Sequence, residues 1–346
     1  MLPDTSQMDP KDLCDTGLPR ADGRGTVKLF SSLNPAVVRQ HMVRLARAGI
    51  DGVALQRFVA GLEVPQKRRR MDQVLRNVLA AAQSTGRVVY ITYDVSGTAP
   101  DKVAGLIQAD WSDLQQNFAL RREAAYLKEN GKLVLQLWGF GFTDRPGQPA
   151  EVAALVAALK QSGSYVIGGV PTHWRTLAGD AKTDPAWAPV YRSYDAISPW
   201  TVGRYTNGAG ADKFFTDVVR ADMAEARRAG VRYMPVVFPG FSWFNLMKNR
   251  GNDAVINQIP RECGSFLERQ IDNVVTARAE TMYVAMLDEF DEATALLPGE
   301  LSPARVPAGA QTLAGVAGQC GGGGDRYLKV TGRGAGRLRA GQAAEQ

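Results

Sequence analysis

Apolar residues fall into short dense blocks along this chain, and an amphipathic stretch ending in glycine precedes most of them. Gly49 precedes Ile50 to Leu55, Gly86 precedes Val88 to Tyr93, and Gly131 precedes Leu133 to Leu137. Gly163 precedes Tyr165 to Val170, and Gly230 precedes Val231 to Phe238. Glycine there suits the left-handed residue that closes a helix, a conformation it adopts cheaply. Asn34-Pro35 places a capping side chain before a proline at the first helical position. Asp110 opens a helical run to Asn130, Gln148-Pro149 opens one to Gln161, and a third runs from Arg261 to Ala279. Two further blocks, Ala196 to Trp200 and Met282 to Leu287, complete a set of seven strong strands.

Strand starts recur roughly every 30–50 residues with helices between them, the pattern of βαβ crossovers in a parallel sheet. Periodicity does not say whether the sheet closes. A (β/α)8 TIM-type barrel is favoured, because the units continue past six without a half-way break and no G-x-G-x-x-G opens the first helix. Thr26 to Phe30 is a short, weak eighth strand, and residues 1–25, rich in Asp, Pro and Gly, offer none. The expected architecture is therefore a barrel lacking its first strand. Residues 1–300 read as the barrel and catalytic domain. Residues 301–346 read as a Gly/Ala-rich extension, with Gly321 to Gly324 as a joint and Tyr327 to Arg339 as a candidate final helix.

Composition narrows the function classes. The 346 residues are 45% apolar and 22% charged, which permits a sizeable core. The formal charge is +6, yet Lys and Arg are spread along the chain. The run Lys67 to Arg70 reads as solvated helix surface, so no nucleic-acid partner is expected. No apolar run is long enough to span a membrane. The opening is polar and acidic rather than a signal peptide. The chain as written reads as soluble and cytoplasmic, or as secreted if its natural start lies upstream. Three scattered cysteines argue against a disulfide framework, and with two histidines they leave too few soft ligands for zinc. No cofactor is expected, and oligomeric state is not legible.

Barrels build their sites at the C-terminal ends of strands. The residues there include Gln56, Arg57 and Phe58, then Thr92, Tyr93 and Asp94, then Gln136, Trp138 and Phe140. Thr172, His173, Trp174 and Arg175 follow the fourth strand, Ser198 and Trp200 end the fifth, and Phe241 to Trp243 follow the sixth. Four of the six tryptophans (Trp138, Trp174, Trp200, Trp243) thus stand at strand ends. Aromatic rings with polar groups between them suit the flat C–H faces of sugars. Taken singly, each is as well explained as a cap on the core. His173, Trp174, Arg175 and Arg57 are candidates to grip hydroxyls or carboxylates, though a structural histidine explains His173 equally well.

The last strand ends in Asp288-Glu289-Phe290-Asp291-Glu292, four carboxylates within five residues. Glycosidic cleavage commonly needs two carboxyl groups, one held protonated, and crowded like charges raise at least one pKa. A solvated acidic loop is the competing reading. A divalent-metal site of Asp288, Asp291 and Glu292 with water is a third, but no second ligand group is evident.

The segment Asp288 to Thr294 resembles the last-strand motif of glycoside hydrolase family 99 and its neighbour family 71. In family 99 that motif reads Asn-Glu-Trp-His-Glu-Gly-Thr. The sequence looks most similar to the bacterial family 71/99-like proteins, some described as xylosidase/arabinosidase. The resemblance spans roughly residues 26–300 and is weak outside the strands. It implies a retaining, metal-independent glycosidase acting on an oligo- or polysaccharide. Glu289 would act as base on the sugar 2-hydroxyl, giving a 1,2-anhydro intermediate, and Glu292 as general acid and then base. Tyr93, Trp138, His173, Trp174, Trp200, Trp243, Asp288 and Asp291 would contact substrate. Phe290, Asp291 and Ala293 depart from the family's Trp, His and Gly, which puts a mannose preference in doubt. They also keep open a barrel that binds glycans without cleaving them.

Overall fold

Helix boundaries follow from local chemistry. Helix Pro35–Ala48 starts where the Asn34 side chain accepts the N–H of Ala36, and ends at Gly49 with φ 78°. Helix Pro65–Thr85 ends likewise at Gly86 with φ 64°. The structure, a computed structural model, describes residues 1–316 and 324–343, so most of the expected joint Gly321 to Gly324 lies outside the described residues. In chain order the strands are β1 (Cys14–Pro19), β2 (Thr26–Leu29), β3 (Gly52–Phe58), β4 (Val88–Asp94), β5 (Lys128–Glu129) and β6 (Lys132–Trp138). They continue with β7 (Ser164–Gly169), β8 (Ala196–Ile197), β9 (Arg232–Tyr233), β10 (Val236–Val237) and β11 (Tyr283–Val284).

The chain divides into two compact units. One comprises Asp51–Trp200 and Val218–Pro235 and holds a parallel sheet in the order β3-β4-β6-β7-β8-β9. Gln56 pairs with Thr92 and Thr92 with Gln136, so these side chains share one face. Helices Pro65–Thr85, Val103–Asn117 and Pro149–Gln161 supply the crossovers between neighbouring parallel strands. The other unit comprises Met1–Ile50, Thr201–Asp217 and Val236–Gln346. It holds the parallel pair β10-β11 and the antiparallel pair β1-β2. Its last helix, Arg326–Ala343, buries Tyr327, Leu328, Val330 and Leu338. Gly332 lets that helix lie against helix Pro35–Ala48: a Cβ there would fall 1.6 Å from the Ala48 carbonyl oxygen.

All seven expected strands take part in parallel ladders. The run Val231 to Phe238 is split into β9 and β10 around Pro235, which has no N–H to give a ladder. Three sequence expectations need correction. Residues 1–25 do contain a strand, β1, and Thr26–Leu29 pairs with it antiparallel rather than joining a parallel sheet. The run from Asp110 to Asn130 is not one helix. Its helix is Val103–Asn117, and Asn130 (φ 50°) and Gly131 (φ 76°) form a two-residue turn between β5 and β6. Asn-Gly takes that primed turn readily, so Gly131 closes a hairpin instead of a helix. Cys263 is disulfide-bonded while Cys14 is free, so one disulfide forms where the scattered cysteines gave no sign of a framework. Among the described residues, no helix is long and apolar enough to cross a membrane.

Candidate active site

The acidic run leaves β11 as a closed loop. Met286 N–H donates to the Thr294 carbonyl at 3.0 Å, and Leu296 and Leu297 N–H groups donate back to Met286 and Leu287. Inside this neck, Oε1 of Glu289 accepts the N–H of Asp291 at 2.8 Å and of Glu292 at 3.4 Å. That side chain caps its own turn, and its orientation is fixed by backbone. Ala293 holds φ 60°, a conformation that glycine, the family's residue at this position, adopts more easily.

Three other segments of the same unit clamp the loop. Arg261, only 2% exposed, donates to the carbonyls of Ala293 and Ala295, both at 2.7 Å. Its guanidinium lies 3.9 Å from the centroid of the Tyr327 ring on the last helix. Gly240 makes room for it, since a Cβ there would meet Arg261 Cγ at 2.5 Å. Ser242 N–H donates to the Glu292 carbonyl at 2.8 Å. Asn245 Nδ2 donates to Asp291 Oδ1 at 2.7 Å and to the Asp291 carbonyl at 3.2 Å. Trp243 lies between these two anchors and is 45% exposed, with its ring edge-on to Phe241. Phe290 packs edge-on against Phe30, just past β2, at 5.9 Å.

Crowding has an electrostatic consequence. Partial burial, reinforced by the charges of Glu289 and Asp291, raises the Glu292 carboxyl to about 7. Solvent reaches Asp288, yet its carboxyl is enclosed enough that burial, with the charge of Glu289, raises it too. The folded protein therefore holds a proton on Glu292 that the unfolded chain releases near 4.5, and stability is lost as pH rises from there through about 7. Glu292→Gln should remove that loss, making the variant roughly 1–3 kcal/mol more stable than wild type near pH ~8 but not near pH ~4. Thermal melts at both pH values check this; a variant no more stable at the higher pH contradicts the raised carboxyl.

A second cluster lies in the other unit, at the ends of β6, β7 and β8. Trp138 meets Trp200 edge-on at 5.2 Å and Phe142 at 5.5 Å. Arg145, ion-paired with Asp144, stacks over Trp138 at 5.7 Å. Thr172 donates its hydroxyl to the Trp200 carbonyl. His173 Nδ1 lies 2.8 Å from Asp180 Oδ1, and Asp180 also accepts the N–H groups of Thr172 and His173.

Glu289, Glu292, Asp288 and Asp291 thus share one loop with Trp243 beside it, Trp138 and Trp200 share the other cluster, and His173 is bonded to Asp180. Tyr93 and Trp174 lie elsewhere. Tyr93 is fully buried and donates to Asp110 of helix Val103–Asn117, together with Arg57. Alternation along the strand turns Tyr93 and Arg57 to the helix side and Asp94 to the opposite face. Trp174 is fully buried, with its indole N–H on Asp222 at 2.9 Å, and Arg175 pairs with the same carboxylate. Neither ring offers a face to solvent. The sequence marks the residues opposite Tyr93 only faintly, as the polar alternation of Thr92 with Asp94 and of Gln136 with Trp138 inside apolar strands. Among the described residues, no group of three or more His, Cys, Asp or Glu is arranged to hold a metal ion.

No protein-family model matches the chain, and no curated protein matches it by sequence. Solved structures do. A glycoside hydrolase family 99 endo-α-mannosidase from Bacteroides thetaiotaomicron superposes with a TM-score of 0.68 at 14% identity, over 94% of this chain and 85% of that one. A glycoside hydrolase-like protein gives 0.60 at 14% identity, over 94% and 91%. An endo-β-1,4-mannanase from Thermotoga petrophila gives 0.53 at 10% identity, over 88% and 74%. The chain has the (β/α)8-barrel fold of glycoside hydrolases, and its likeness to family 99 extends from a short motif to the three-dimensional structure.

Proposed function

We propose that the protein is a retaining glycoside hydrolase acting on an oligo- or polysaccharide. The observation that carries this reading is the pairing, within one clamped loop, of an oriented carboxylate (Glu289) with a carboxyl raised to about 7 (Glu292). A group that titrates near neutrality can both give and take a proton. The fold shared with glycoside hydrolases supports the same conclusion.

In the proposed reaction Glu289 takes the proton of the sugar 2-hydroxyl. The freed oxygen attacks C1 from within the same ring as the bond to the leaving oxygen breaks. Glu292 protonates that leaving oxygen and is left ionised. It then removes a proton from a water molecule, which opens the 1,2-anhydro ring at C1, while Glu289 returns its proton to O2. Two inversions at C1 retain the configuration. Trp243, Asp288 and Asp291 near the loop, and Trp138, Trp200 and His173 at the other strand ends, are proposed substrate contacts. Residues 1–300 form the proposed catalytic domain, with 301–346 as an extension.

Proton NMR of freshly released sugar tests this. The account expects the released anomer to match the configuration of the bond cut, with rates unaffected by a chelator. An inverted product contradicts the mechanism, and activity abolished by chelator favours metal-dependent chemistry. One observation favours a second reading, glycan binding without cleavage: Asp291, where the family has histidine, is committed to Asn245. Binding with no turnover on any glycan would select it.

A further inference from the structure

The loop that carries Asn245 is itself fixed at its neck. Phe241 and Ile259 exchange reciprocal backbone hydrogen bonds, at 3.1 and 2.9 Å. From inside this loop the Asn245 amide nitrogen reaches Asp291 twice, at 2.7 Å to Oδ1 and at 3.2 Å to the carbonyl oxygen. An amide nitrogen carries two hydrogens, so it makes both bonds at once. They hold the side chain and the backbone of one residue together.

Asp291 passes this constraint on. Its own N–H donates to Glu289 Oε1 at 2.8 Å, while the other donor to that oxygen, the Glu292 N–H, lies farther off at 3.4 Å. The shorter of the two bonds that orient Glu289 therefore comes from the residue that Asn245 holds. A carboxylate turned by even a fraction of an ångström loses its aim, and positioning is worth orders of magnitude in rate.

We infer that Asn245 is a positioning residue for Glu289, acting through Asp291. In this role Asn245 touches no substrate; it fixes the turn on which the base is oriented. The carboxylate at 291, where family 99 has histidine, supplies one of its two acceptors, so the bond that commits Asp291 also serves the reaction. The inference rests on the glycosidase reading for the role of Glu289, but its first measurement does not require turnover.

Two variants of the full chain test it. Asn245→Leu removes the donor, and Asn245→Asp keeps the shape but sets a second carboxylate against Asp291. The first measurement is amide hydrogen exchange, read residue by residue. The Asp291 and Glu292 N–H groups should exchange about three- to tenfold faster in both variants. The melting temperature should change little, since the bonded atoms lie at the surface. The second measurement is kcat, which should fall by about 10- to 100-fold. The factor should be the same on a glycan and on an aryl glycoside, because the base acts on the 2-hydroxyl whatever the leaving group. A side chain needed only for packing would leave Asn245→Asp unaffected. A general loosening of the loop would disturb Glu292 as well and cost the glycan more than the aryl glycoside.

Unchanged exchange in Asn245→Asp overturns the inference, and Glu292-dependent cleavage in the same chain then leaves the glycosidase reading standing. A kcat loss confined to the glycan also overturns it, by assigning the effect to Glu292. Faster exchange in a chain that cleaves no glycan upholds the hold on Glu289 and ends the hydrolytic reading.

Discussion

Glu292→Gln is expected to lower turnover on an unactivated glycan by about 10²–10⁴-fold, the usual contribution of a general acid. The loss should depend on the leaving group. An aryl glycoside that departs as a weakly basic phenolate needs little protonation, so its first step should be far less affected. Glu289→Gln, which removes the base acting on the 2-hydroxyl, should slow both substrates alike. The pH profile carries the same signature. Wild-type activity should decline as pH rises through about 7, where Glu292 loses its proton. In the glutamine variant that limb should disappear. Steady-state rates of the two variants on both substrates decide the matter, and equal losses in Glu292→Gln on glycan and aryl glycoside contradict an acid role.

Arg261→Met should destabilise the protein by about 2–4 kcal/mol and lower turnover together. Two carbonyls, of Ala293 and Ala295, lose their buried donor, at about 1–3 kcal/mol each. Part of this is offset because a buried guanidinium that, among the described residues, has no carboxylate against it is itself costly. Burial lowers its pKa, as that cost implies. The effect on turnover follows from position. Ala293 adjoins Glu292, so loosening its carbonyl frees the loop that carries both carboxyl groups. Tyr327→Leu removes only the ring under the guanidinium and should cost about 0.5–2 kcal/mol. Denaturant midpoints and kcat for both variants are the readouts. A fully stable Arg261→Met protein contradicts the clamp.

The parallel strands were legible because buried strands between helices leave dense apolar blocks, and glycine at 49, 86, 163 and 230 marks where helices stop. Gly131 misled because glycine serves an Asn-Gly turn as well as a helix end, and only the preceding Asn130 separates the two. The acidic run was legible as a candidate site because four carboxylates crowd at one strand end. Its clamps were not. Arg261 reaches a loop about 30 residues further along the chain, and nothing local in Arg261-Glu262-Cys263 announces that contact. Tyr93 and Trp174 show the limit of reading strand ends as a list. An aromatic at a strand end faces ligand or helix according to alternation, and in strands buried on both faces the alternation is faint. In β4 it survives only as Thr92 and Asp94 on one side and Tyr93 on the other.

The central claim is that the loop bearing Glu289 and Glu292 cleaves glycosidic bonds. Its most direct test is release of reducing ends from α-mannans, xylans, arabinans and bacterial exopolysaccharides, with folded wild type and Glu292→Gln assayed side by side. The account predicts release from at least one of these by wild type and its near-abolition in the variant. Equal release by both proteins, or none from any glycan by a folded wild type, would contradict it.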